Sequence, residues 1–103
     1  MYEYEKPAIE DSSLDVLATE EDFLVMLPPY LAMALQEELE PVFHVFSDNK
    51  DIWTQDTHYA YETFCMWVAR FDRGRLYIEL YEDRENDVLV HEDCLLSHGD
   101  FPL

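Results

Sequence analysis

A formal charge of -18 on 103 residues, 49 % of them apolar, is what most restricts how this chain can fold. Asp and Glu number 24 against 6 Lys and Arg, and a compact state brings those like charges together at a cost. A disordered acidic tail would be poor in aromatics. This chain has two Trp, seven Tyr and six Phe, enough for a core. It therefore folds against its own field, and such a field is costly to maintain unless something uses it.

The length is that of one domain. Residues 1–11 read as a flexible acidic lead-in and residues 12–103 as a single domain. Glu37, Glu38 and Glu40 interrupt the longest apolar stretch, which falls short of a membrane span. The first residues, Met1-Tyr-Glu-Tyr-Glu-Lys6, lack the basic and then apolar regions of a secretion signal. Cys65 and Cys94 alone make no disulfide framework, so a reducing cytoplasm, that of a bacterial host cell, is the expected compartment. Direct nucleic-acid binding is disfavoured, because it needs Lys and Arg to displace counterions; an anionic membrane is disfavoured in the same way. No Lys or Arg occurs from Pro7 to Asn49, whereas Arg70, Arg73, Arg75 and Arg84 all lie in the second half. A basic partner would be steered toward the first half.

Local patterns give an order of elements. Ser12 or Ser13 can cap a short helix running to about Thr19. Phe23-Leu-Val-Met-Leu27 reads as a buried strand. Pro28 and Pro29 suit the first turn of a helix from Tyr30 to Leu39, which must end before Pro41. Glu37 and Glu38 stand at the wrong end of that helix for its dipole, a hint of use elsewhere. Val42 to Phe46 reads as a strand, with Phe43 and Val45 on one face and Val42, His44 and Phe46 on the other. Thr63 to Phe71 and Leu76 to Glu82 read as a hairpin whose turn uses a positive φ at Gly74. On its return strand Leu76, Ile78 and Leu80 share one face, and Tyr77, Glu79 and Tyr81 an aromatic, partly charged one. Val88 to Val90 is a further strand. The expected class is α+β: two short helices packed on one face of a twisted antiparallel sheet of about five strands.

Catalytic and metal motifs are weak. His91, Cys94 and His98 match no standard zinc spacing, even with His58 or Cys65 added. Cys65 beside His58 or His91 lacks the electropositive setting that a thiolate needs. Carboxylate pairs are uninformative where carboxylates are everywhere. No enzyme activity, cofactor or metal is expected. The acidic clusters are the stronger signal, above all Glu20, Glu21, Asp22, Glu37 and Glu38, because carboxylates on successive turns can imitate a row of phosphates.

The run Glu20-Glu-Asp-Phe-Leu-Val-Met-Leu-Pro-Pro-Tyr-Leu-Ala-Met-Ala-Leu35 resembles the phage inhibitors of uracil-DNA glycosylase. That resemblance implies an acidic DNA mimic that occludes the DNA-binding cleft of a bacterial DNA-acting enzyme. It implies a phosphate-mimicking acid at Asp22 or Glu21. It also implies an apolar pocket from Met26, Leu31, Met33, Ala34, Leu35 and Val45 that captures an apolar side chain of the enzyme. Two positions depart from the pattern: Phe23 stands where the family has serine, and the family's second acid falls near Tyr30. The expected partner is a basic DNA-binding enzyme, a uracil-DNA glycosylase or another nuclease or defence enzyme. The rival reading is an immunity protein or antitoxin that neutralises a nuclease toxin, with anti-CRISPR and anti-restriction mimics beside it. A zinc or thiol enzyme using His91, Cys94 and His98 is a third reading.

Overall fold

A computed structural model describes residues 18–99. The lead-in expected at residues 1–11 and nearly all of the helix expected from Ser12 or Ser13 lie outside them. The described chain runs α1 (Glu20–Val25), α2 (Pro28–Glu37), β1 (Glu40–Ser47), β2 (Lys50–Thr54), α3 (Thr57–Phe71), β3 (Gly74–Asp83) and β4 (Val88–His98). The four strands form one antiparallel sheet in the order β2-β1-β3-β4. With α1 and α2 joined end to end, the helical layer is two bodies on one face of the sheet, the α+β arrangement expected from the sequence.

Two segments expected to be extended are helical, each through a start signal and a period of three to four residues. Thr19 and Asp22 form a reciprocal capping box: the Thr19 hydroxyl accepts from the Asp22 N–H at 3.1 Å, and the Asp22 carboxylate accepts from the Thr19 N–H at 3.3 Å. Glu20, Glu21 and Asp22 then occupy the first turn, where negative charge favours a helix. Phe23 and Leu27, four residues apart, are both buried, so the run Phe23 to Leu27 presents a helical stripe in place of a strand.

Thr63 to Phe71, expected as half of a hairpin, belongs to α3. Asp56 caps this helix by accepting from the Tyr59 N–H at 2.9 Å. Ala60, Phe64, Trp67 and Val68 bury one face at helical spacing. Its β-branched and aromatic content fits a strand equally well, and burial of that stripe decides the matter. Gly74 does not take a positive φ; Asp72 does, at 62°, as the cap of α3. Space at position 74 is tight, since a Cβ there would lie 3.1 Å from Val68 Cγ2 and would push that side chain by a few tenths of an ångström.

The strand faces follow the alternation of the sequence. Phe43, Val45, Leu76, Ile78 and Leu80 enter the core, four of them with no exposed surface. Phe23 meets Phe43 edge-on at 5.6 Å and stacks on Tyr61 at 5.9 Å, which ties α1 to both β1 and α3. β2 fills a stretch where no strand was expected, and β4 runs well past Val90. No helix among the described residues is long and apolar enough to cross a membrane.

Candidate partner interface

The acids at the start of α1 divide their work. Asp22 is committed to the capping box, and Glu20 accepts from His58 Nδ1 at 2.8 Å. Glu21 is exposed, with no cation against it among the described residues. At the far end Glu37 closes α2, and Glu38 caps it in the left-handed region, both exposed. Between these ends lies an apolar ridge. Leu31 and Leu35, one turn apart, are 44 % and 84 % exposed, and Leu24 and Val25 at the end of α1 are 43 % and 68 % exposed. A row of exposed aliphatic side chains of this kind marks a contact surface more often than chance.

The residues of the expected apolar pocket are divided between core and surface. Ala34 and Val45 are buried inside the core, while Met26, Met33 and Tyr30 pack half-buried against it. The Tyr30 hydroxyl donates to the Asp93 carboxylate of β4, and its ring lies 6.1 Å from that of His91. Tyr30 therefore ties α2 to the sheet. Leu31 and Leu35 are the most exposed of the set and carry the ridge.

His44, His58 and His98 each face carboxylates in this acid-rich domain. His58 lies between Glu20 and Glu62, whose carboxylates raise its pKa above 6.5, Glu20 most. His44 Nδ1 faces Glu79 at 3.2 Å and its Nε2 faces Asp51 at 3.1 Å. A neutral ring can donate to only one of the two. His98 stands 3.7 Å from Asp72.

The sheet face away from the helices carries a cluster that the sequence reading foresaw in part. Glu79 is buried, and its Oε1 accepts from Trp53 Nε1 at 3.1 Å and from the Tyr81 hydroxyl at 2.7 Å. Burial and then this bond push the Tyr81 phenol up to about 12. Tyr77, Glu79 and Tyr81 were expected on one face, and they are. Trp53 was missed, because nothing in Lys50 to Thr54 alternates clearly enough to announce a strand.

The proposed zinc or thiol set is dispersed. His91 pairs across from Leu80, Cys94 from Tyr77 and His98 from Gly74. The two histidines are seven residues apart on one strand, about 23 Å, and Cys94 lies on the opposite face between them. Burial pushes the Cys94 thiol up, against thiolate formation. His58 turns both ring nitrogens to carboxylates, not to Cys65. Among the described residues no group of three His, Cys, Asp or Glu is placed to hold a metal ion.

No protein-family model matches this chain, and neither a curated protein nor a solved structure does.

Proposed function

We propose that the protein is an acidic binding module that lays the α1–α2 side on the DNA-binding surface of a basic bacterial enzyme and keeps DNA out. The observation that carries this reading is the exposed ridge of Leu24, Val25, Leu31 and Leu35 bracketed by uncompensated carboxylates at Glu21, Glu37 and Glu38. From Glu21 to Glu38 the path is about 25 Å at a helical rise, the axial length of about seven base steps of a duplex. Charge at both ends would speed encounter, and the aliphatic ridge would slow release. Cationic enzyme surfaces that bind DNA satisfy both needs. Uracil-DNA glycosylase is the first target to assay, since the run from Glu20 to Leu35 resembles its inhibitors. A nuclease or restriction enzyme is the next.

The test is competition. Immobilised protein is loaded with bacterial lysate, eluted with duplex DNA, and each eluted enzyme is assayed for inhibition by the free protein. Inhibition competitive with DNA is expected, and it should weaken at least tenfold in the combined Glu21→Lys, Glu37→Lys, Leu35→Ala variant, roughly the loss of one or two good interface contacts. Asp22 and Glu20 are left intact because they hold the fold. Inhibition indifferent to both DNA and this variant would sink the reading.

A further inference from the structure

No described helix lies over the second face of the sheet, and that face is not a plain polar surface. Trp53, His44 and Tyr77 stand side by side across β2, β1 and β3. The Trp53 and His44 rings stack at 4.1 Å with 8° between their planes, and the His44 and Tyr77 rings lie 6.5 Å apart. β2 is the edge of the sheet, so the row of rings stops at Trp53. The inner face of the indole is covered by His44, and its outer face looks past the sheet edge. Trp53 is 48 % exposed. It is also held in place, because Nε1 donates to the buried Glu79 carboxylate.

We propose that this face is a second docking surface, where the outer face of Trp53 stacks against an arginine side chain of a basic partner protein. A guanidinium is planar and weakly hydrated, and it stacks on an aromatic face better than an ammonium does. Its charge would meet the carboxylates of Asp87 and of Asp51, which pairs across from Phe46 and faces His44 Nε2 at 3.1 Å. A cleft of about 320 Å³ is lined by Trp53, Tyr81, Arg84 and Asp87. The chain's own guanidinium, Arg84, already forms part of its wall, paired with Glu40 at 3.6 Å. Both partners of that pair are well exposed, so it is weak and easily displaced. A second copy of this chain is a poor occupant, since it would bring Asp51 and Asp87 against their like and add to a charge of -18.

The proposal rests on the reading that the partner is a basic protein, but its test needs no partner enzyme. Hexa-arginine and hexa-lysine peptides are titrated into the isotope-labelled full chain at moderate salt. The Trp53 indole N–H resonance should shift saturably with hexa-arginine, while that of the buried Trp67 stays in place. Hexa-lysine should bind more weakly. Trp53→Leu should weaken hexa-arginine binding about threefold to thirtyfold, the range of a cation–π contact. Because Trp53→Leu also removes a donor from Glu79, Asp87→Asn serves as the second variant, on an exposed turn with a left-handed backbone that Asn accepts. It should weaken binding too. Equal affinity for the two peptides, a Trp53 resonance that does not move, or self-association of the free chain overturns the proposal. If the peptide binds at Trp53 while no enzyme shows inhibition competitive with DNA, the sheet-face site stands and the DNA-mimic reading falls; the converse result separates them the other way.

Discussion

Replacing Glu38 by glycine should make the domain more stable and its partner association slower. Glu38 closes α2 at φ 57° and ψ 47°. A side chain in that left-handed region costs roughly 1–2 kcal/mol. Glycine removes the cost but gives back about 0.5–1 kcal/mol through the freedom of its unfolded state. The Glu38 carboxylate also sits at the negative end of the helix dipole, beside Glu37, and losing it contributes a further ~0.3–1 kcal/mol. The balance favours the variant by about 1 kcal/mol. The closing backbone bonds, with Leu39 N–H reaching Ala34 O at 2.7 Å, need no side chain and persist. In a domain of this size that gain raises Tm by about 4–8 °C. Thermal unfolding of the wild type, Glu38→Gly and Glu38→Gln separates the two contributions, because Gln removes only the charge and should gain less. Association with the captured enzyme should slow in both variants, more at low salt than at high. A Tm for Glu38→Gly at or below wild type would refute the conformational reasoning. A raised Tm with an unchanged association rate would refute the view that this residue is retained for binding.

The pH dependence has a definite sign at His58. Its pKa is raised above 6.5, first by Glu20 and then by Glu62. Its contribution to docking α1 on α3 is therefore complete below 6.5 and fades as pH rises through the folded-state value. An NMR titration should place the His58 midpoint above 6.5, with Glu20→Gln lowering it more than Glu62→Gln; a midpoint at or below 6.5 contradicts the ion-pair geometry. Glu79→Ala should cost about 2–3 kcal/mol in urea unfolding, because it strips the acceptor from Trp53 and Tyr81. Glu79→Gln should cost less and lower the Tyr81 phenol from about 12, as spectrophotometric titration would show. A Tyr81 midpoint that stays put in that variant would leave burial as the whole cause. Gly99→Ala should destabilise by about 2 kcal/mol or more, since φ is +82° and the new Cβ would lie 2.4 Å from the Asp72 carbonyl oxygen. A urea midpoint within error of wild type would count against that tight approach.

Strand faces were legible wherever residues alternate strictly. Phe43 and Val45, like Leu76, Ile78 and Leu80, went to the side that period-two reasoning assigned them. The helix after Pro28 and Pro29 was equally plain, because its formers and its prolines agree. Phe23 to Leu27 and Thr63 to Phe71 misled for a shared reason. Both are rich in Phe, Val, Thr or Trp, whose strand preference is strong over five residues and says nothing of the longer period. The capping signals Thr19-x-x-Asp22 and Asp56 stand in the sequence and favour a helix in both places. The candidate interface divided in the same way. Glu21, Glu37, Glu38, Leu31 and Leu35 face solvent, whereas Ala34 and Val45 are core.

Composition and alternation alone settled that this chain can build a core against its own charge, that its class is α+β, and that the sheet has one greasy and one aromatic face. Those properties depend on residue type and on neighbours two or four positions away. Tertiary structure decided which carboxylates are still available to a partner. Asp22 caps a helix, Glu20 answers His58, and Glu79 is enclosed by Trp53 and Tyr81. The cation or donor that occupies each of these acids arrives, in two cases of three, from a residue more than twenty positions away. Only the folded chain brings such pairs within hydrogen-bonding distance, and what it leaves unpaired is the charge that a partner can meet.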